Sequence, residues 1–300
     1  MTAFQSIPSK LLLFGEHSIL AGSPAFTIPL WDFSARLMFP PDDEKITGIQ
    51  SNLHLKKFGQ YLFQTEYFNQ HFDFGRLNES ANDALFLQSD IPQGYGLGSS
   101  ASLCVALYKA FGTSNLQKPS ELRNLYSQME SYFHGKSSGI DPLTIHTEKA
   151  LIIKGSNIEF LSVNTAIFND DIKIYLLDSR ITRDSATMID IFKKAMGIPE
   201  YKSKFQQNYL PLLKNIVLDI SKGKPPEWDI LVKLSQLQKV YFKEMIPDSI
   251  YKLWEKGLAT HQYCLKILGA GGGGFFLVFA REEMEKLDEF EMRKIELRNK

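Results

Sequence analysis

The stretch with the clearest chemical signature runs from Pro92 to Ser102, where glycines alternate along the chain and hydroxyl side chains follow directly. Apolar residues downstream recur at three- and four-residue spacing, which predicts a helix that begins at the serines, a preferred N-cap residue type. A helix N-terminus attracts anions, and glycines upstream let the backbone approach a phosphate closely. The stretch therefore predicts an anion site, with a serine-capped turn that binds nothing as the alternative.

Charged residues elsewhere could complete such a site, and each also has a structural explanation. Lys10 stands at the entry of a predicted strand, and Glu16 and His17 lie together between apolar segments. Glu130 is adjacent to the buried stripe of a predicted helix, and Asp141 precedes a proline. Considered one at a time, Lys10 fits a solvated lysine and His17 fits a structural histidine. Glu130 fits a solvated helix carboxylate, and Asp141 fits a helix N-cap. Only their combination favours catalysis.

Hydrophobic periodicity predicts the elements that would position these residues. In the first half we expect strands at 10–14, 25–30 and 84–88, helices after Ser99 and from Pro119 to Gly135, and a strand near 149–153. A change in composition near 163–171 predicts a domain boundary. In the second half we expect strands at 172–177, 263–268 and 275–279, a last short strand at 295–297, and helices at 186–196, 203–221 with a kink at Pro211, 227–243, 248–257 and 282–289.

A second glycine run, Gly269–Gly274, contains the pattern GxGxxG. A dinucleotide-binding fingerprint requires a helix after the glycines, whereas five apolar residues that favour a strand follow here. We therefore reject a dinucleotide fold and expect close backbone packing at these glycines.

Composition narrows the class of protein. The 300 residues, 44% of them hydrophobic, suffice for one large or two medium domains. The 34 basic and 34 acidic residues give no net charge, which argues against a nucleic-acid partner. Two cysteines outside any CxxC pair favour a reducing compartment, and no stretch has the length of a membrane span. We predict a globular protein of the cytoplasm with no membrane or nucleic-acid partner; a homodimer stays open.

Three motifs in this order resemble those of the GHMP kinase superfamily. They are Lys10–Leu20 with Gly15-Glu16-His17, the glycine-serine stretch Pro92–Ser102, and Gly269–Gly274. Within the superfamily the chain is most similar to the mevalonate kinase family, because Gly22-Ser23-Pro24 follows the first motif and Glu130 precedes Asp141 by eleven residues. The resemblance covers most of the chain.

The resemblance implies a fold and a reaction. The fold would be α+β, with a ribosomal protein S5 domain 2-like N-terminal domain over 1–166 and a ferredoxin-like C-terminal domain over 167–300. The reaction would be transfer of a phosphoryl group from ATP, with Mg²⁺, to mevalonate or a related small-molecule alcohol. Such transfer depends mainly on positioning and charge neutralisation.

The resemblance also implies a role for each motif residue. Asp141 would face the acceptor hydroxyl with Lys10 beside it, Ser100 and Glu130 would bind Mg²⁺, and the acceptor side would include Glu16, His17, Thr182, Gly271 and Gly272. Gly271 to Gly273 would also support the loop that binds the ATP phosphates. The residues implied to hold the ATP phosphates are Pro92, Gly94, Tyr95, Gly96, Leu97, Gly98, Ser99, Ser100, Ala101 and Ser102.

Departures from the family pattern leave the acceptor open. Lys136-Ser137 stand where the family usually has Asn-Pro, Leu268 where it has Thr, and Pro142 where it has Asn. A lysine next to the acceptor loop could favour a phosphorylated acceptor, so a phosphomevalonate kinase or a sugar kinase is an alternative. A third hypothesis is a nucleotide-binding sensor without turnover, although such a sensor need not retain Lys10, Ser100, Glu130 and Asp141 together.

Overall fold

The computed structural model describes residues 4–40, 45–161, 167–182 and 185–297 and shows an α+β protein. Its contacts separate into two compact units. The first unit comprises Met1–Lys10, Pro29–Pro92 and Gly98–Glu148, and the second comprises Leu11–Ile28, Gln93–Leu97 and Lys149–Lys300. The sequence boundary at 166 falls on residues 162–166, outside the described residues, so the division into 1–166 and 167–300 stays a prediction.

The strands are β1 Ile7–Phe14, β2 Ala25–Met38, β3 Phe86–Ser89, β4 Leu151–Lys154, β5 Asn157–Phe160, β6 Lys173–Asp178, β7 Tyr263–Ile267, β8 Phe275–Ala280, β9 Lys286–Leu287 and β10 Phe290–Lys294. The α-helices are α1 Lys45–Gln64, α2 Phe74–Asn82, α3 Ser99–Phe111, α4 Pro119–His134, α5 Ile140–Thr147, α6 Ser185–Met196, α7 Pro199–Lys204, α8 Leu210–Ser221, α9 Trp228–Tyr241 and α10 Asp248–Thr260. Among the described residues, none of the helices is both long and apolar enough to cross a membrane.

In the first unit, three helices pack on one another and carry most of the predicted chemistry. Helix α3 packs on α4 and α5, and its apolar side chains, including Cys104, Leu107 and Phe111, are buried. A leucine or phenylalanine side chain contributes about 1.5–3 kcal/mol through such burial. This packing fixes where the first turns of α3 and α5 lie. β3 pairs antiparallel with β2 and leads toward α3, as the predicted order of strand, glycine-rich loop and helix requires.

The second unit is built on the antiparallel sheet β7-β8-β6-β10-β9. All six residues of β8 are buried, as expected for a central strand covered on both faces. Helices α9 and α10 pack on β7. Since β8 follows the second glycine run directly, the rejection of a dinucleotide fold is confirmed.

One helix prediction in the second half is wrong. Residues 282–289 have good helical propensity, but they form β9 and a turn in which Asp288 has φ +50°, and β10 then pairs with β6. Sheet pairing outweighs local propensity there, which is a weak preference. The helix predicted at 203–221 is confirmed: α7, a π-helical turn at Phe205–Tyr209 and α8 follow one another without a break up to Ser221. The π-helical turn lies just before Pro211, where the sequence predicts a kink and where the missing N–H cannot continue a regular ladder.

Candidate active site

The loop before α3 uses glycine at every position where the backbone turns into the left-handed region. Gly94, Gly96 and Gly98 have φ of +79°, +79° and +83°. Gly98, not a serine, is the N-cap of α3, so the predicted serine cap is wrong. Ser99 and Ser100 lie in the first helical turn, where N–H groups point out of the helix and the helix dipole is positive. The loop and helix N-terminus thus have the form of an anion site.

Gly98 also has no room for a side chain. A Cβ there would lie 3.0 Å from Lys10 Cγ and 3.4 Å from Ile145 Cδ1. The aliphatic part of the Lys10 side chain therefore packs against the N-terminus of α3. This close approach favours glycine at position 98, directly before the serines.

Four predicted residues of the first unit come together here, and we call them the Lys10 cluster: Lys10, Ser100, Glu130 and Asp141. The ammonium of Lys10 lies 2.7 Å from Asp141 Oδ2. The Lys10 side chain is 5% exposed whereas that of Asp141 is 36% exposed. The cation is thus held in the protein while the carboxylate remains accessible to a ligand.

Glu130 supplies a second, buried carboxylate. Ser100 Oγ donates to Glu130 Oε1 at 3.4 Å, and Ser137 Oγ donates to Oε2. Burial first, and then the charge of Asp141, raise the pKa of Glu130 to about 7, against the opposing effects of Ser137, Lys10 and Ser100. The charge of one lysine acts on two carboxylates here, so a further cation would stabilise the ionised forms of both acids.

The N-cap explanation of Asp141 does not hold. α5 begins at Ile140, its N-cap is Gly139 in the left-handed conformation, and Asp141 lies inside the first turn. Its carboxylate is directed by Lys10 rather than by a capping bond. The structural alternative that the sequence left open for this aspartate is therefore excluded.

In the described part of the chain, no three His, Cys, Asp or Glu side chains converge on a possible metal position. The donors that the Lys10 cluster offers to a divalent ion are the Ser100 hydroxyl and the Glu130 carboxylate. Mg²⁺ prefers such oxygen ligands, keeps several waters and takes further ligands from substrate phosphates. The donor set fits Mg²⁺ of that kind.

In the second unit, the turn Gly15–His17, which we call the Glu16 turn, lies against the strand and glycine run of the third motif. Glu16 is 1% exposed and its carboxylate pairs with the ammonium of Lys266 on β7. His17 Nε2–H donates to the carbonyl of Ala270 at 2.8 Å. Burial lowers the pKa of Lys266, and the charge of Glu16 opposes this effect.

The second glycine run packs closely on its surroundings, as expected. A Cβ at Gly272 would lie 2.6 Å from Met188 Sδ, and one at Gly274 would lie 3.1 Å from Cα of Tyr95 in the first loop. The Tyr95 ring also packs edge-on against Phe275 with centroids 4.8 Å apart. The residues that support the first loop are thus Gly274 and Phe275, beyond the predicted Gly271 and Gly272.

Thr182 is exposed in the segment after β6, and its neighbours at 183–184 lie outside the described residues. The predicted acceptor role of Thr182 therefore stays a prediction.

Two site residues were not found from the sequence. Ser137, a departure from the family pattern, hydrogen-bonds Glu130 and accepts from the Gly139 N–H at 3.0 Å, so it joins the Lys10 cluster to the start of α5. Lys266 is the charged residue of a fully buried strand, β7. An ionisable residue inside an apolar strand was the available signal, since such residues are buried only when paired.

Comparisons with known proteins agree with the fold and the motifs. The family model "GHMP kinases N terminal domain" matches residues 61–147. A mevalonate kinase of Thermococcus onnurineus is 28% identical, covering 96% of this chain and 92% of the relative, and one of Thermococcus sibiricus is 24% identical with the same coverage. The crystal structure of Methanococcus jannaschii mevalonate kinase superposes with a TM-score of 0.66 at 18% identity, covering 98% of each chain.

The fold, the motifs and these matches indicate a class of phosphotransferase: residues 61–147 match the GHMP kinase N-terminal domain, and the whole chain is similar to solved and curated mevalonate kinases. The full-length curated relatives described above are mevalonate kinases, and the chain spans nearly their whole length.

Proposed function

We propose that this protein is a mevalonate kinase, which transfers the γ-phosphoryl group of ATP to the primary hydroxyl of mevalonate and releases ADP and 5-phosphomevalonate. The observation that carries the proposal is the accessible carboxylate of Asp141 held 2.7 Å from the buried ammonium of Lys10, in one cluster with Ser100 and Glu130. Relatives named mevalonate kinase over nearly the full length of the chain support the choice of acceptor.

In the proposed mechanism, Asp141 orients the acceptor hydroxyl and takes its proton as the acceptor oxygen bonds to the γ-phosphorus. The bond between that phosphorus and the β,γ-bridging oxygen breaks, and ADP leaves with its electron pair. In a loose transition state the nucleophile needs little activation, so a carboxylate can accept the proton late. The Lys10 ammonium stabilises negative charge on the transferring group.

The loop Pro92–Gly98 and the first turn of α3 hold the phosphates of ATP through backbone N–H groups in this proposal. Ser100 and Glu130 hold Mg²⁺, which neutralises phosphate charge when bound. Of the second unit, His17 is assigned to the acceptor side together with Glu16, as the resemblance implies.

The test is a coupled assay of ADP release with purified protein, Mg²⁺ and ATP, offered mevalonate, 5-phosphomevalonate, galactose or homoserine. We expect turnover with mevalonate at a kcat/KM at least about a hundredfold above the others, because acceptors with a different charge or a different set of polar groups leave polar groups of the site unpaired. Turnover with 5-phosphomevalonate alone would support the phosphomevalonate kinase alternative. ATP binding without turnover of any acceptor would support a sensor instead.

The proposal includes a cytoplasmic location and a homodimer as the assembly to be tested. Sedimentation velocity over a tenfold range of protein concentration distinguishes a dimer from a monomer.

A further inference from the structure

The backbone of the Glu16 turn is strained at His17. Its φ of +54° and ψ of −42° lie near the γ-turn conformation that is rare in proteins, and the Ser18 N–H donates to the Glu16 carbonyl across it. A side chain other than glycine keeps such a conformation only where surrounding contacts hold it. The side chains of His17 and Glu16 supply the contacts that hold this turn.

The His17 side chain supplies one set of contacts. Its Nε2–H donates to the Ala270 carbonyl, which fixes the hydrogen on that nitrogen because a carbonyl can only accept. The ring packs beside Phe192 and Phe242, with centroid distances of 5.3 and 5.6 Å, and the residue is 6% exposed. The imidazole is thus held in one orientation over the start of the second glycine run.

The Glu16 side chain supplies the other set. Its carboxylate pairs with Lys266, and both side chains are at most 1% exposed. Lys266 Nζ also donates to the Ile267 carbonyl at 2.9 Å and lies over the Phe14 ring at 5.7 Å. Gln238 fixes the same strand, because its Oε1 accepts from the Ile267 N–H at 2.9 Å while its Nε2 donates to Tyr209 Oη.

An ion pair this deeply buried is a poor device for stability alone. Two charges lose their hydration on burial, and well-packed apolar residues in their place often give an equally stable or more stable protein. Unlike an apolar contact, the ion pair fixes the position of one group relative to another: it holds the Glu16 carboxylate at Lys266 on β7. Lys266 lies four residues before Ala270, to which His17 is bonded.

We propose that Lys266 is a positioning residue for the acceptor side of the kinase reaction: through Glu16 it holds the strained turn that orients His17. The proposal rests on the function proposed above for its kinetic consequence, but its structural half concerns the His17 imidazole and can be measured without any substrate. Since the Glu16 carboxylate is fully buried, we assign it to this positioning role.

The experiment compares three variants. They are Lys266→Met, the double variant Glu16→Gln/Lys266→Met, in which both charges are removed, and the matched control Lys239→Met. Lys239 also carries an ion pair in the second unit, to Glu255 at 2.8 Å, but at the surface. The six histidines of the full chain are labelled with ¹⁵N, and the His17 imidazole signal is assigned by its loss in His17→Gln. Thermal unfolding is measured alongside, with kcat and both KM values.

We expect the His17 signal to move in Lys266→Met and in the double variant, and to stay unchanged in Lys239→Met. The KM for mevalonate should rise at least about tenfold in both Lys266 variants while the KM for ATP changes less than about threefold, since a small misplacement of a positioning group has effects of this size. The double variant, which leaves no buried charge uncompensated, should recover most of the thermal stability without recovering the KM.

Recovery of both stability and KM in the double variant would show a structural role and overturn the proposal. So would an unchanged His17 signal, or a moved signal with unchanged KM values. If the signal moves as expected but the wild-type protein phosphorylates none of the offered acceptors, the proposed function fails while the positioning of His17 by Lys266 stands.

Discussion

At the scale of residues, the charged side chains of the Lys10 cluster differ in their exposure to solvent. The ammonium of Lys10 is buried and pairs with Asp141, which is partly open, whereas the second carboxylate, that of Glu130, is closed in by Ser100 and Ser137. A carboxylate that must receive a proton from a ligand has to be reachable, whereas one that holds a metal ion can be recessed. The difference in exposure therefore supports different roles for the two acids.

This difference predicts that Asp141→Asn lowers kcat by about 10²- to 10⁴-fold, the usual contribution of a general base. Thermal stability should change little, because the Asp141 side chain is 36% exposed and asparagine keeps its shape. The measurements are kcat under saturating substrates and the melting temperature. The matched control is Asp190→Asn on α6, whose surface pair with Lys193 is 3.7 Å long and should affect neither quantity.

A large loss of stability without a matching loss of kcat in Asp141→Asn would indicate a structural role for Asp141. A drop in melting temperature of many degrees, with activity reduced only in proportion to the folded fraction, would mean that the Lys10–Asp141 pair holds α5 in place rather than serving the reaction.

At the scale of elements, the orientation of α5 depends on how closely its start approaches α4. Gly139, its N-cap, has φ +69°, and a Cβ there would lie 2.2 Å from the Arg123 carbonyl oxygen and 2.8 Å from Ser127 N. Backbone atoms cannot move aside as a side chain can. Two residues later, the same helix carries Asp141, so the packing of this turn sets where the carboxylate lies.

Gly139→Ala should therefore cost more stability than left-handed strain alone. The matched control is Gly22→Ala, where the backbone is also left-handed, with φ +88° and ψ +13°, and nothing lies within 4 Å of the new Cβ. We expect about 1–2 kcal/mol of destabilisation at Gly22 from the backbone alone, and more than that at Gly139, where overpacking adds about 1–3 kcal/mol. Urea unfolding measures both. Equal losses at the two sites would contradict the close-packing argument.

Much of this element-level arrangement could be predicted from the sequence, because periodicity located β1, β2, α3, α4, β7 and β8. The errors have physical causes. Whether Gly98 or Ser99 caps α3 depends on a backbone angle that composition does not reveal. Residues 282–289 have helical composition but pair with the sheet, and the partner of Lys266 lies 250 residues away in sequence. Contacts between segments distant in sequence determine the strand Lys286–Leu287 and the partner of Lys266, whereas the correctly predicted elements follow from local sequence patterns.

At the scale of the whole molecule, equal numbers of basic and acidic residues leave no net charge near neutral pH. Without strong self-repulsion, the few buried groups with shifted pKa values dominate the pH dependence of stability. Two of them lie on neighbouring helices and act in opposite directions. They are Glu130 on α4 and His146 on α5, whose Nδ1 lies 2.7 Å from Tyr126 Oη.

The signs follow from proton counts. Burial, with a contribution from Lys109, lowers the pKa of His146 from 6.5 to about 4, so the unfolded chain binds more protons between these values and stability rises with pH there. The pKa of Glu130 is raised from 4.5 to about 7, so the folded chain binds more protons and stability falls as pH rises through that range. The two slopes oppose each other between pH 4.5 and 6.5.

We therefore predict that single variants show a pH dependence of the unfolding free energy that is cancelled in the wild-type protein. Relative to wild type, Glu130→Gln should gain about 1–2 kcal/mol of unfolding free energy between pH 5 and pH 6.5, and His146→Gln should lose about as much. Urea unfolding at the two pH values, in EDTA to exclude divalent ions, measures both differences, and subtracting the wild-type curve removes the other titrating groups. Mg²⁺ added to wild type at pH 8 should stabilise it, since an ionised Glu130 is then the form that a cation favours. Differences of the same sign for the two variants would contradict the assignment, because only opposite proton uptake on folding lets one buried acid and one buried base offset each other across the same pH range.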